Sequence, residues 1–210
     1  MELFIRVLIS LFSVVNPLGA VPVFLSMTPH YTAKERFKTA FNTSFYFVLI
    51  LLAFFFGGSF ILSFFGISIN AMRIAGGMVI LSSGYGLLNG KFAETRSVDE
   101  KVEQEALEKD DISFSPMAMP LLSGPGSISL LIGFFQQHQT WQERVIIALV
   151  IIVNGFIVYW ILRISPYLFK LLGEAGLRAI SRIMGFLTMA IAVQYIISGI
   201  VALVESLRHT

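Results

Sequence analysis

The stretch SVVNPLGAVPVFL, Ser13 to Leu25, decides the fold. It lies in a run with no Asp, Glu, Lys or Arg from Val7 to Ala33. A segment this apolar is long enough to cross a bilayer, which takes about 20 residues. Yet Asn16, Pro17, Gly19 and Pro22 fall in its middle. Proline lacks the amide hydrogen that a helix interior needs, and its ring clashes with the carbonyl one turn earlier. The residue before it is pushed away from helical geometry. The reading is therefore a membrane span that unwinds at Asn16–Gly19, with Pro22 either freeing a second carbonyl or opening a fresh helix.

The rest of the chain agrees with a membrane setting. Of its 210 residues 56% are hydrophobic and 13% charged, with mean hydropathy +0.79. Soluble domains carry about a quarter charged residues. The absence of cysteine excludes a disulfide framework and thiolate metal sites. A formal charge of +2 gives no basis for nucleic-acid binding. The N-terminus has neither a basic lead nor a small-residue cleavage site, so it reads as a retained first span.

Six spans are expected, roughly Ile5–Met27, Phe41–Phe65, Ile67–Leu88, Phe114–Gln136, Val145–Leu168 and Leu177–Val204. Spans two and three are divided by the turn FFGIS, Phe64 to Ser68. The polar segment Lys91–Asp111 reads as a connector, with Ser97 and Glu100 as a capping box for a short surface helix. Eleven of the fifteen basic residues fall on the face that holds the connections after spans one, three and five. That face is expected to be cytoplasmic, which puts both termini outside, periplasmic or extracellular.

The halves echo each other. TAKER at Thr32–Arg36 matches TWQER at Thr140–Arg144, and NPLG at Asn16–Gly19 stands opposite GPGS at Gly124–Ser127, both 108 residues apart. RIAG at Arg73–Gly76 stands opposite RIMG at Arg182–Gly185, 109 apart. Three spans per half is an odd number, so the halves should enter the membrane from opposite sides. The expected fold is all-α: a polytopic membrane protein of six helices, built as a three-plus-three inverted repeat with broken first and fourth helices. Residues 1–90 form the first repeat, 91–113 the cytoplasmic connector and 114–210 the second repeat.

Span four repeats the device of span one in PLLSGPGSIS, Pro120 to Ser129. Non-helical backbone at membrane depth survives only when buried in protein or lining a wet cavity. Paired breaks at corresponding positions point to a substrate site near the midplane. Helix N-termini offer amide hydrogens to a carboxylate, and freed carbonyls suit an ammonium group. A small zwitterion needs both. The candidate binding residues are Asn16, Pro17, Gly19, Gly124, Pro125, Gly126 and Ser127. Arg73, Arg182, Asn154 and Gln194 are candidates for support or gating. Gly57, Gly58, Gly76, Gly77, Gly84, Gly86, Gly185 and Gly199 read as close helix contacts.

NPLGAVPVFL, FGISINAMRIAGG, MPLLSGPGSIS and GLRAISRIMGFLTMAIAVQYIISGI together resemble the signature stretches of the MarC family, over nearly the whole chain. The resemblance implies an inner-membrane protein with six spans and, for some members, transport of glycine, alanine and similar amino acids. The expected function is a secondary transporter of small neutral amino acids working by alternating access. The alternative is an exporter of drugs or other metabolites with the same architecture. The expected partners are a neutral amino acid and the lipid bilayer, with no nucleic acid. No enzyme motif, metal site or cofactor is expected, and the coupling ion, H+ or Na+, stays open because no acid sits deep in any span.

Overall fold

A computed structural model describes residues 1–90, 102, 104, 105 and 111–208 of the chain. The expected surface helix at Ser97–Glu100 lies outside these residues. Every regular element among those described is helical. In chain order they are α1 (Glu2–Val15), α2 (Ala20–Ser26), α3 (Ala33–Phe64), α4 (Ile69–Leu88), a wide-wound coil (Ser113–Leu122), α5 (Pro125–Gln137), α6 (Trp141–Arg163) and α7 (Ser165–Arg208).

Four helices, α3, α4, α6 and α7, are long and apolar enough to cross a membrane. The pairs α1–α2 and coil–α5 qualify only as bent pairs, with bends of 44° and 65°, and counting each as one span gives up to six. The outer surface supports this reading. Large apolar side chains such as Phe45, Leu49, Phe60, Phe156, Phe186 and Ile197 stand exposed, far more than a water-facing surface leaves open.

The ends of the elements follow from local chemistry. α3 and α6 begin on matching caps. Thr32 Oγ1 accepts from the Glu35 amide at 3.3 Å, and Thr140 Oγ1 accepts from the Glu143 amide at 3.3 Å. These caps carry both helices further toward the N-terminus than their apolar runs. α3 stops before Gly66, whose φ of +65° turns the chain into α4. α7 is interrupted at Gly173, at φ +66°.

The tightest helix pairing joins α4 and α7, which run antiparallel. A Cβ on Gly84 would stand 2.9 Å from the Gly185 carbonyl oxygen, and one on Gly185 would stand 2.8 Å from that of Gly84. Gly77 meets the Ala192 carbonyl and Gly199 that of Asn70 in the same way. Gly58 closes on Ile132. Gly57 was expected to make such a contact, but nothing lies within 4 Å of a Cβ there. It sits one position round the helix from Gly58, which is the residue turned inward.

Candidate functional site

The first break forms as the proline argument requires. Asn16 leaves the helix in the left-handed region, at φ 49° and ψ 64°. Among non-glycine residues asparagine visits that region most readily. Its amide still bonds to Phe12 at 2.8 Å. Its Oδ1 accepts from the Gly19 amide at 3.4 Å. Its Nδ2 is buried and has no hydrogen-bond partner. Pro17 leaves the carbonyl of Ser13 without the usual helical amide, and Thr188 of α7 supplies the donor, Oγ1 to O, at 2.9 Å. Gly19 is needed for space: a Cβ there would lie 2.5 Å from Asn16 Nδ2 and 3.1 Å from Ser181 Oγ. Pro22 falls in the first turn of α2, where a missing amide hydrogen costs nothing, so of the two sequence readings the fresh-helix one holds.

The fourth span breaks over a longer stretch than its sequence suggested. Pro116 and Pro120 each drive the preceding residue into extended geometry, Ser115 at φ −125° and Met119 at φ −135°. Hydrogen bonds there skip five residues, from Met117 to Ile112 at 3.2 Å and from Ser123 to Ala118 at 2.8 Å. A regular helix restarts with Gly124 as N-cap and Pro125 in its first position. The amides of Gly126 and Ser127 head α5 without a side-chain cap. The Ser127 hydroxyl is turned back onto the Gly124 carbonyl at 2.9 Å. Ser123 Oγ is buried and has no partner.

The two breaks adjoin, but through apolar contact. A Cβ on Gly126 would lie 3.2 Å from Ile80 and 3.7 Å from Val14, and Val14 precedes Asn16 by two residues. Residues of the two breaks line separate cavities, and Asn16 itself is fully buried on the wall of neither. Gly19 and Ser181 line a cavity of about 610 Å³ whose walls include Pro22, Ser26, Leu87 and Gly90. The Glu174–Arg178 ion pair belongs to the same wall. Ser123, Pro125 and Gly126 line a second cavity of about 410 Å³ with Ser82, Ser83 and Ser129. A third, of about 530 Å³, is bounded by Arg6, Ser10, Leu130, Phe134, Tyr195 and Ser198. The first and third cavities lie at opposite ends of the first span, one at Ser26 and the other at Arg6. Four of their wall positions correspond at the 108-residue displacement: Pro22 with Leu130, Ser26 with Phe134, Leu87 with Tyr195, and Gly90 with Ser198.

The supporting candidates fall differently. Arg73 is half-buried at the α4–α7 crossing, with its Cβ 3.1 Å from a Cβ built on Gly199. Arg182 is exposed on the outer side of α7. Its neighbours Ser181 and Gly185, four apart on one face, take the inward positions. Asn154 is buried but bonds back to Val150 of its own helix at 3.1 Å. Gln194 is exposed and lines the third cavity. Sequence reasoning missed Ser123, Ser181 and Thr188. A serine directly before Gly-Pro was a readable signal, whereas the two α7 residues look like ordinary small polar positions in an apolar helix. Among the described residues no group of three or more His, Cys, Asp or Glu is placed to hold a metal ion.

Comparison with known proteins agrees with this architecture. The family model described as MarC family integral membrane protein matches residues 1–204. The UPF0056 membrane protein BU267 of Buchnera aphidicola (from Acyrthosiphon pisum) is 38% identical over 209 residues, covering 100% of this chain and 97% of the relative. The UPF0056 membrane protein MJ1677 of Methanocaldococcus jannaschii is 38% identical over 200 residues, 95% of this chain and 97% of the relative. YhcE of Escherichia coli K12, also a UPF0056 membrane protein, is 34% identical over 197 residues, 94% and 91% respectively. No solved structure matches the chain. A match over nearly the whole length, on a bundle whose first and fourth spans are broken, has one meaning: the chain belongs to the MarC family of integral membrane proteins.

Proposed function

We propose that the protein is a secondary transporter of small neutral amino acids of the glycine and alanine class, with its binding site at the two helix breaks. One observation carries the reading. Each break, at the 108-residue displacement to within one position, holds a fully buried side-chain group with no partner, Asn16 Nδ2 and Ser123 Oγ. An unpaired buried polar group costs about 1–3 kcal/mol, so its retention points to a ligand that completes it; Ser123 lines the second cavity, and Gly19, which bonds to Asn16, lines the first. An amide N–H suits a carboxylate, and a hydroxyl suits either end of a zwitterion.

Alternating access is supported by the corresponding walls of the cavities at the Ser26 and Arg6 ends. They are what an inverted three-plus-three repeat produces, with one vestibule on each side of the membrane. On this reading the basic face is cytoplasmic, the protein lies in the inner membrane and both termini are outside. The exporter alternative calls for cavities walled by aromatic and Met side chains. The two cavities that receive the breaks contain one such residue each, Phe169 and Met119.

The test is uptake of labelled alanine and glycine into proteoliposomes by the wild type, Asn16→Gly and Ser123→Ala. Glycine at 16 keeps the left-handed backbone while removing the amide. The expected result is wild-type uptake reduced at least about tenfold in each variant, the effect of losing roughly 1.4 kcal/mol of binding. Uptake that neither substitution alters would place the site elsewhere. A wild type that moves neither amino acid would remove the substrate assignment.

A further inference from the structure

α3 and α6 enclose a groove that touches neither break. Its floor is Gly155, whose bare α-carbon lets Val48 close over it and whose carbonyl accepts the Ser44 hydroxyl. Above the floor, Phe41 and Phe45 on one bank and Ile152 and Phe156 on the other stand exposed. The groove holds about 600 Å³. From Val48 to Phe37 it runs about 16 Å at the helical rise per residue, which is the scale of an extended lipid tail.

One end of the groove is cationic. The Arg163 guanidinium carbon lies 4.8 Å from the centre of the Phe37 ring and 4.7 Å from that of Trp160. Its NH1 donates to the Tyr159 hydroxyl at 3.3 Å. No carboxylate pairs with it among the described residues. Lys34 and Lys38, both exposed, share the α3 stripe of Phe41, Phe45 and Val48 by steps of three, four and seven. The acid between them, Glu35, is engaged by the Thr32 cap. Aromatic rings hold a guanidinium by its face and leave its N–H edge free for the paired oxygens of a phosphate.

We propose that this groove is a specific site for an anionic phospholipid, with one acyl chain between the Phe and Ile banks and the phosphate against Arg163, Lys34 and Lys38. A second copy of the chain is the weaker occupant. A two-fold interface here would set each copy's patch on the same patch of its partner, bringing the three cations of each toward those of the other.

The experiment is native mass spectrometry of the full chain, delipidated in mild detergent. It is then offered equal amounts of phosphatidylglycerol and phosphatidylcholine with identical acyl chains. The expected wild-type result is phosphatidylglycerol adducts in excess by about fivefold or more, the effect of one or more well-placed cations. Arg163→Gln should lower the ratio by about fivefold, and Ile152→Trp, which fills the trough, should lower both adducts. Equal retention of the two lipids by the wild type overturns the proposal, and so does an Arg163→Gln variant with unchanged preference. A wild type that appears chiefly as a dimer dissolved by Ile152→Trp assigns the groove to a second copy instead. If Arg163→Gln fails to fold, the exposed pair Lys34→Gln/Lys38→Gln serves instead: it too should lower the ratio, and an unchanged ratio there overturns the proposal.

Discussion

Thr188 donates its hydroxyl hydrogen to the carbonyl oxygen of Ser13 at 2.9 Å, and Ser13 is the residue whose helical donor Pro17 removes. The break in span one is thus completed from 175 residues away in sequence. Thr188→Val keeps the shape and removes the donor. It should lower stability by about 1–3 kcal/mol, read as a fall in thermal midpoint in detergent. The loss should shrink in a Pro17→Ala background, where residue 17 has its own amide. Equal losses in both backgrounds would show that Thr188 acts through something other than the orphaned carbonyl.

The caps at Thr32 and Thr140 make the same contact at the same distance. Thr32→Ala and Thr140→Ala should each cost about 1 kcal/mol and should add in the double variant. Arg36 gives α3 a further tie, because its NH2 donates to the Thr28 carbonyl at 2.7 Å and its Nε to the Thr28 hydroxyl at 3.3 Å. Arg36→Gln should therefore lower the midpoint at least as far as either threonine change.

Two glycines of similar appearance should behave oppositely. Gly84→Ala drives a methyl against the Gly185 carbonyl, and overpacking of this kind costs about 1–3 kcal/mol. Gly57→Ala enters open space on a helix interior and should be neutral or stabilising by up to about 1 kcal/mol. Thermal unfolding of the pair in one detergent distinguishes them.

Ser123 allows function to be separated from packing. Its hydroxyl has no partner, so Ser123→Ala should leave the midpoint unchanged or raise it slightly. The stabilisation that saturating alanine gives the wild type should be lost in this variant, since a ligand raises stability only by its binding. A lower midpoint in the absence of amino acid would mean that the hydroxyl holds the bundle together.

The spans and both breaks were legible because proline acts on its neighbours whatever surrounds it. Asn16 had to leave the helix, and Pro125 had to sit where a helix starts. Pro116 obeys the same rule, but the break read from the sequence begins at Pro120, so the irregular stretch from Ser113 was missed. Long-range partners were not legible. Thr188 and Ser181 look like any small polar residues in an apolar helix, and only the packing of α7 against α1 and α2 gives them a task. The arginines illustrate the same boundary. RIAG and RIMG are alike as strings, yet Arg73 is half-buried and Arg182 points outward, because each helix's rotation is set by its glycines' contacts. Depth in a span can be read from sequence, but the direction a side chain faces is settled by neighbours.

The clasp of Gly84 against Gly185 ties a helix from before the chain's midpoint to one from after it, main chain to main chain. Such a joint has little side-chain cushion to deform, so the two helices form a single stiff beam. The covalent midpoint is then not a mechanical seam. On the proposed transport cycle, the change that opens one end of the bundle and shuts the other would fall to the interrupted segments, α1–α2 and coil–α5, moving about that beam.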